Sequence, residues 1–254
     1  MYRYDQYSGI SLFVLLCLRK KETNHMLPLN EQAYNKLLSM IDSNYFQHNV
    51  YYSETKLSKE FNISRTPLRD ALNKLSQEGY IDIVPSKGFC LHVMTHEDLL
   101  EMIQVRIALE CYAAMEAAYY QESRNIQELI RDLEDTIETM KAVVERNGTT
   151  EEYANVDFCF HRLLVDSLHN KQFHDLYKRY LNRIIRIAEI TLEQEGRKEE
   201  AVREHQSIID AIKAGDQPAA HKAVLKHLIV TQQLNQDALQ NMQEQQRKAS
   251  PLSV

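Results

Sequence analysis

The spacing of apolar residues changes along the first third of the chain. Apolar positions recur every three or four residues over residues 31–43 and 54–61, and again from Arg65 onward, which predicts three helices. Residues 80–84 and 89–93 alternate instead, and the Pro-Ser-Lys-Gly turn between them predicts a β-hairpin. The second and third helices are separated by a three-residue break. This order predicts a helix-turn-helix followed by a wing.

From residue 95 onward the pattern is helical throughout. Thr95 and Asp98 stand three apart in a capping-box arrangement that opens the first helix. Breaks at turn-forming residues divide this part of the chain into six predicted helices: 96–122, 125–146, 149–169, 171–193, 196–214 and 217–242. We therefore predict a mainly α protein, with an N-terminal winged helix-turn-helix and a C-terminal all-α six-helix bundle.

The pattern also predicts where these parts begin and end. Residues 1–26 are expected to be an extension outside the fold, 27–94 the winged helix-turn-helix, 95–243 the helical bundle and 244–254 a polar, frayed tail. The extension contains an apolar run at residues 10–18, which is too short to cross a bilayer because a helix needs about 20 residues for that. No membrane association is expected.

The charge of the chain is divided unevenly between the two parts. The 254 residues have a formal net charge of −6, which is unusual for a DNA-binding protein. Residues 30–95 carry seven Lys or Arg against seven Asp or Glu, whereas residues 96–254 carry 19 against 27. DNA affinity must therefore come from the local placement of basic side chains. The four cysteines lack metal-type spacing, which predicts a reduced, cytoplasmic setting: Cys17, Cys90, Cys111 and Cys159.

The third helix has the composition of a DNA-recognition helix. Ser64 is its predicted N-cap, with the side-chain oxygen accepting a backbone N–H of the first turn. The predicted buried face consists of Leu68, Ala71, Leu72 and Leu75. Arg65, Thr66 and Arg69 lie off that face, near the end that a helix-turn-helix inserts into the major groove. The alternative is a small structural module whose arginines are merely solvated.

The run LSKEFNISRTPLRDALNKLSQEGYIDIVPSKGF resembles the winged helix-turn-helix of the GntR family of bacterial transcription regulators. The resemblance implies that Ser64, Arg65, Thr66 and Arg69 contact DNA and that Lys87 and Gly88 bring the wing tip to a groove. The chain departs from the family pattern twice. Asn-Val-Tyr-Tyr at residues 49–52 replaces a frequent Pro-Gly, and a threonine at position 55 replaces a frequent arginine.

Four side chains of the helical bundle form a candidate metal site. Asp157 and His161 are four apart on one helix face. His205 and His227 lie on consecutive helices at similar distances from their connecting turn, so they come level in an antiparallel pair. This set suits Zn²⁺, Ni²⁺, Mn²⁺ or Fe²⁺. The alternative for each residue is a surface pair or a satisfied core side chain. We interpret three further histidines of the bundle, His169, His174 and His221, as surface residues.

The runs DFCFHRLLVDSLHN and REHQSIIDAIKAGDQPAAHKAVLKHL resemble the metal-binding form of the FCD ligand-binding domain, which follows the winged helix in the FadR subfamily. The resemblance implies a divalent metal, with zinc favoured, at Asp157, His161, His205 and His227. It also implies a homodimer. Six helices rather than seven favour the VanR-like branch.

Three arginines are candidates for binding a carboxylate effector. Arg106 lies in a run, VRIALE, that resembles the R-x-x-L-E of the first FCD helix, and the resemblance makes it a cavity residue that pairs with a carboxylate. The alternative is an i, i+4 salt bridge with Glu110 on a solvated face. Arg183 and Arg186 have the same two interpretations.

The sequence therefore predicts a ligand-responsive transcriptional regulator, most simply a repressor. A homodimer would bind a pseudo-palindromic double-stranded DNA operator, and a small organic acid would be the effector. One alternative is a metal-dependent enzyme with Glu204 or Glu110 as base, although four protein ligands leave little room for substrate and an enzyme needs no helix-turn-helix. The other is a direct metal sensor without an organic ligand.

Overall fold

The computed structural model of the protein describes residues 27–178 and 191–249. Among these, residues 27–94 form one compact unit, here called the winged unit, and the residues from 95 onward form a second, the helical unit. The mainly α fold predicted from the sequence is confirmed. No helix in the described ranges is both long enough and apolar enough to cross a bilayer. The predicted extension at residues 1–26 lies outside the described residues.

The winged unit has the predicted order of elements: α1 (Leu29–Asp42), α2 (Glu54–Glu60), α3 (Arg65–Gln77), β1 (Ile81–Val84) and β2 (Gly88–Leu91). Its two strands pair antiparallel with Ile83 opposite Phe89, and Tyr52 adds an isolated bridge to Phe89. The helices bury the predicted apolar positions around the side chains Leu37, Leu57, Leu68, Leu72 and Leu75. A single small core thus supports both the recognition helix and the wing.

The turn between α2 and α3 is set by a left-handed residue. Asn62 has a φ of 52°, a conformation that asparagine adopts more readily than most residues. Ser64 occupies the predicted N-cap position, but its side chain accepts no backbone hydrogen bond. The predicted cap bond is therefore wrong. The reason lies three residues on, because Pro67 has no N–H to donate to the cap oxygen.

The helical unit contains five long helices in its described part: α4 (His96–Tyr119), α5 (Arg124–Glu145), α6 (Thr150–Asp166), α7 (Arg197–Lys213) and α8 (Gln217–Ala249). Residues 171–178 and 191–192 are also helical, and the rest of the predicted helix 171–193 lies outside the described residues. The capping box of Thr95 and Asp98 is present at the start of α4. The predicted bundle is thus borne out over the described ranges.

Several predicted helix ends shift. α4 ends at Tyr119 instead of 122, and α6 ends at Asp166 instead of 169, where His169 has a left-handed φ of 49°. The last helix was predicted to fray after Met242, yet α8 continues to Ala249. The residues after Met242 are glutamine, glutamate, arginine, lysine and alanine, which are good helix formers, and no glycine or proline stops them.

Small side chains on α4 allow α8 to pack closely along it. The buried alanines of α4 are Ala113, Ala114, Ala117 and Ala118, and the facing residues of α8 include Ala220, Val224 and Leu228, all fully buried. Because the two backbones approach closely, polar residues on the neighbouring turns also come together. This packing brings His227 of α8 towards the interior of the bundle.

Candidate metal centre and DNA-binding surface

The N-terminal end of α3 presents polar side chains to solvent. Ser64, Arg65 and Thr66 are exposed, as is Arg69, whose side chain is 63% accessible. Arg69 also forms an ion pair with Glu54 of α2, with Nη2 3.3 Å from Oε2. Of the two arginines predicted to contact bases or phosphates, Arg69 therefore has its charge partly compensated by Glu54, and Arg65 is the less compensated one.

The wing tip places one cation on an aromatic ring. Lys87 is exposed, and its Nζ lies 4.9 Å from the centre of the Tyr51 ring. Tyr51 itself is 49% exposed. It belongs to the segment where the chain departs from the usual Pro-Gly pattern. A role for Tyr51 beside Lys87 was not predicted from the sequence, because nothing in the sequence pairs the two residues.

Gly88 has a structural reason to be glycine. Its φ is +105°, and a Cβ built there would lie 2.1 Å from the carbonyl oxygen of Tyr52. That carbonyl accepts a hydrogen bond from the N–H of Phe89, and the N–H of Tyr52 donates to the carbonyl of Phe89. The glycine therefore lets residue 52 pair with the wing. Its predicted DNA contact stays a prediction.

Three histidine rings meet inside the helical unit. The Nε2 atom of His161 lies 3.1 Å from Nε2 of His205 and 3.2 Å from Nε2 of His227. Their side chains are at most 3% exposed. Two nitrogen ligands about 2.0–2.1 Å from a tetrahedral ion lie about 3.3 Å apart, so the observed spacing is that of a metal site. The predicted convergence from α6, α7 and α8 is present.

Asp157 lies at the edge of this cluster. Its Oδ1 is 3.5 Å from Nε2 of His205, and its Oδ2 is 3.9 Å from Nε2 of His161. The Asp157 side chain is 18% exposed, whereas the three imidazoles are buried. The four predicted ligands are therefore adjacent, and the carboxylate forms the side of the cluster closest to solvent.

Each imidazole has an acceptor at its other nitrogen. Nδ1 of His205 lies 2.7 Å from the carbonyl oxygen of Ala201, and Nδ1 of His227 lies 2.7 Å from Oε2 of Glu204. Nδ1 of His161 lies 2.7 Å from Oε2 of Glu110, a close ion-pair contact that is too bent for a hydrogen bond.

Since a carbonyl or an ionised carboxylate only accepts hydrogen bonds, the ring proton is assigned to Nδ1 of His205 and of His227. The nearby Glu110 carboxylate favours the same tautomer for His161. With these tautomers the three Nε2 lone pairs face one another, and a divalent cation would be the electron-pair acceptor that they otherwise lack.

The electrostatics favour neutral imidazoles at His205 and His227 and an ionised carboxylate at Glu204. Burial lowers the pKa of His205 well below its usual range, and it lowers the pKa of His227 to about 3, in each case with help from a neighbouring histidine. Burial alone would raise the pKa of Glu204, but hydrogen bonds from His227 and Arg197 outweigh it and hold that pKa at about 2. Neutral imidazole is the form that binds metals.

Arg106 forms the predicted salt bridge, but not on a solvated face. Its Nε lies 2.6 Å from Oε1 of Glu110, and the two side chains are 6% and 0% exposed. Tyr177 donates a hydrogen bond of 2.8 Å to the same Glu110 oxygen. Although burial would raise it, Arg106 and His161 hold the pKa of Glu110 well below its usual range. The solvated alternative is therefore wrong.

Arg106 also lines a small cavity between α4 and α8. The other lining residues are Leu99, Met102, Ile103, Gln232 and Asn235. The predicted effector residue thus sits between this cavity and Glu110, the neighbour of His161. The other predicted effector residues, Arg183 and Arg186, lie outside the described residues.

Sequence reasoning missed the roles of Glu110 and Glu204 as imidazole partners and missed Arg197 and Tyr177 altogether. Both glutamates were considered as bases of an enzyme, and Glu110 also as a salt-bridge partner of Arg106. For Glu110 the sequence did indicate a buried or surface partner, since Arg106 and Glu110 are four residues apart. For Arg197 the sequence indicated no partner, because Glu204 is seven residues away and the contact depends on the side-chain conformations.

A winged helix-turn-helix followed by an all-α bundle is an architecture found in DNA-binding transcription regulators. The model described as "Bacterial regulatory proteins, gntR family" matches residues 29–91, and that of the FCD domain matches residues 101–229. The chain belongs to the GntR family of transcriptional regulators and carries an FCD domain. Its relatives are transcriptional regulators, which supports the interpretation of the chain as a regulator over that of an enzyme.

Relatives support this assignment over most of the chain. The HTH-type transcriptional regulator YdhC of Bacillus subtilis is 32% identical over 202 residues, which cover 79% of this chain and 88% of that protein. The HTH-type transcriptional repressor RspR of Escherichia coli is 26% identical over 223 residues, covering 88% and 94%. A GntR transcriptional regulator from Rhodococcus sp. RHA1 shares the fold, with a TM-score of 0.63 at 18% identity over 82% of this chain and 98% of that one.

Proposed function

We propose that the chain is a repressor whose helical unit binds a divalent metal through Asp157, His161, His205 and His227 and responds to a small carboxylate. The observation that carries the proposal is the cluster of three Nε2 atoms, 3.1 and 3.2 Å from His161, with all three lone pairs facing inward. The RspR relative is named a repressor, which supports the sign of regulation. Zinc suits the ligand set best because four nitrogen and oxygen ligands are typical of it.

The residues around the metal divide into ligands and supports. Each histidine would present Nε2 to the ion while Glu110, Glu204 and the carbonyl of Ala201 keep the Nδ1 atoms oriented. The bound ion would supply an acceptor for an anionic oxygen of the effector. Asp157 lies on the more open side, so the effector would reach the ion beside it.

Arg106 would bind the effector carboxylate. Its guanidinium already holds Glu110, so an incoming carboxylate would compete for, or share, the same donors. Glu110 in turn contacts His161. An effector at Arg106 would therefore act on the same polar cluster as the metal. A change in this cluster would bias the bundle between two arrangements.

In the winged unit, the proposed DNA contacts are Ser64, Arg65, Thr66 and Arg69 of the recognition helix and Lys87 with Gly88 at the wing. Two copies in a homodimer would present two recognition helices to the half-sites of a pseudo-palindromic operator. The exposure of the N-terminal end of α3 supports this assignment. We also propose membership of the FadR subfamily and its VanR-like branch, on the number of predicted bundle helices.

The test begins with native mass spectrometry of the purified full chain, followed by elemental analysis of the same sample after denaturation. A dimer with about one metal ion per chain is expected. Fluorescence anisotropy with a selected duplex then monitors DNA binding of the loaded protein during titration with a panel of small carboxylates. Release of DNA by one of them supports the proposal. Release by zinc alone would identify a direct metal sensor, and a metal-free monomer that binds no added Zn²⁺ would overturn the metal site.

A further inference from the structure

A buried arginine is connected to the metal-site histidine of α8 through one carboxylate oxygen. Arg197, near the start of α7, is 5% exposed. Its Nη2 donates a hydrogen bond of 2.9 Å to Oε2 of Glu204. The same Oε2 accepts a hydrogen bond of 2.7 Å from Nδ1 of His227. The arginine and the imidazole thus meet at a single atom.

The closest contact of Arg197 is with this carboxylate. Two longer contacts join Nη2 to Oγ1 of Thr231 on α8 at 3.5 Å and Nη1 to Oε2 of the exposed Glu200 at 3.9 Å, and Nη1 has no hydrogen-bond partner in the described structure. Burying a guanidinium with an unpaired N–H is costly unless a carboxylate compensates the charge. Glu204 is that carboxylate. Arg197 is therefore a buried cation whose closest contact, Glu204, is the hydrogen-bond partner of the proposed metal ligand His227.

Glu204 needs such support more than the other acceptors do. Its side chain is 15% exposed, so without a fixed partner it could turn towards solvent and leave His227 unoriented. The acceptor of His205 is the carbonyl of Ala201, which is held by the backbone of α7 itself. Glu110, the neighbour of His161, is fully buried and is held by Arg106 and Tyr177. Arg197 is the described group that plays this part for Glu204.

We propose that Arg197 is a positioning residue of the metal centre, which holds Glu204 so that Glu204 orients His227 and thereby sets the affinity for a divalent metal. This inference rests on the proposed function, because it presupposes that the histidines bind a metal. Arg197 touches no ligand atom of the site. Its effect therefore has to pass through Glu204, and that requirement makes the proposal testable.

The experiment measures the Zn²⁺ dissociation constant of the full chain, stripped of metal, by competition with a chromophoric chelator. The variants are Arg197→Gln, Arg197→Lys, Glu204→Gln and the double variant Arg197→Gln/Glu204→Gln. Arg203→Gln is the matched control, since Arg203 is an exposed arginine of the same helix. The melting temperature of each metal-free variant is recorded, and the visible spectrum of the Co²⁺-loaded protein reports coordination geometry.

Arg197→Gln is expected to weaken Zn²⁺ binding by roughly 10- to 100-fold, the usual effect of losing an outer-shell partner. Arg203→Gln should leave it unchanged, and Arg197→Lys should recover part of the loss because the ammonium can still donate to Glu204. In the Glu204→Gln background the Arg197→Gln change should have little further effect. The Co²⁺ spectrum should shift in Arg197→Gln.

Three results would overturn the inference while the wild type binds Zn²⁺. The first is wild-type affinity in Arg197→Gln. The second is an equal loss with and without Glu204, and the third is a lower melting temperature of metal-free Arg197→Gln with an unaltered Co²⁺ spectrum; either of these two would mark Arg197 as a general structural residue. Failure of the wild type to bind Zn²⁺ would instead overturn the proposed function itself, so the two failures are distinguishable.

Discussion

The winged unit and the helical unit place their candidate functional residues in opposite environments. Arg65 and Thr66 lie on the surface, above a core of apolar side chains. His161, His205 and His227 lie inside, with Nε2 of His161 3.1 and 3.2 Å from the Nε2 atoms of the other two. In the first unit function and stability are therefore separable. In the second they are coupled, because a buried polar group contributes to stability or lowers it according to its partners.

The largest expected effect concerns the helical unit, where metal binding and stability are coupled. His205→Ala should lower Zn²⁺ affinity by more than the roughly 100-fold that an outer-shell partner is worth, because it removes a direct ligand. Zn²⁺ should also cease to raise the melting temperature, since binding to the folded state is what stabilises it. Isothermal calorimetry and a thermal scan measure both. His48→Ala, at an exposed histidine of the winged unit, is the control, and full Zn²⁺ occupancy in His205→Ala would contradict the ligand assignment.

One glycine substitution in each unit separates the cost of a positive φ from the cost of a steric clash. Gly88→Ala should lower the free energy of unfolding by about 2 kcal/mol or more, because a positive φ costs about 1–3 kcal/mol and the Cβ would also meet Tyr52 at 2.1 Å. Gly196→Ala carries a positive φ of 78° but meets nothing within 4 Å, so it should cost about 1 kcal/mol. Urea denaturation measures both. Equal losses would show that the approach of Tyr52 is not the reason for the glycine.

In the winged unit, where function and stability are separable, a substitution should weaken DNA binding without lowering stability. Arg65→Ala should weaken DNA binding by about 1–2 kcal/mol, or roughly tenfold, because it removes a cationic contact at the recognition helix. The melting temperature and the Zn²⁺ affinity should not change. Anisotropy titrations at matched salt give the affinity. The control is Arg124→Ala, at an arginine of the helical unit that is 90% exposed, and an unchanged affinity in Arg65→Ala would remove that residue from the interface.

The smallest expected effect concerns the wing. Tyr51→Ala should weaken DNA binding about two- to fivefold, because an exposed cation–π contact such as that with Lys87 is worth about 0.5–1 kcal/mol. Tyr51→Phe should behave like the wild type, since the ring is kept. The same anisotropy assay suffices. If both variants lose affinity equally, the hydroxyl of Tyr51, and not its ring, makes the contact.

The two units also differ in how much the sequence predicts. The elements of the winged unit depend on residues that are close in sequence. The recognition helix, its buried face and the hairpin could therefore be assigned from spacing within residues 54–93. The missing cap bond at Ser64 shows the limit, since it depends on Pro67 three residues later. Helix ends were predicted less accurately. The polar composition after Met242 was interpreted as fraying, although the residues there are good helix formers and α8 continues to Ala249.

In the helical unit the sequence predicts the convergence of the candidate ligands, but not the residues that support them. Asp157 and His161 share a helix, the turn before α8 aligns His205 with His227, and the FCD resemblance joins the four into one set; their convergence is present in the structure, and their role as metal ligands stays a prediction. Whether the Arg106 pair is buried could not be decided from i, i+4 spacing, which is the same on either face of a helix. The contact of Arg197 with Glu204 spans seven residues and is decided by side-chain packing.

The burial of the histidines has a consequence for how fast an ion is exchanged. Their side chains are at most 3% exposed, and Asp157 is the candidate ligand with the most access to solvent. Because three of the four candidate ligands are buried, release of an ion would require local opening of helices α6, α7 and α8, and its residence time would depend on the rate of that opening. The ion would then exchange more slowly than an organic ligand that binds beside it, and a stripped chain would reload only as fast as the bundle opens.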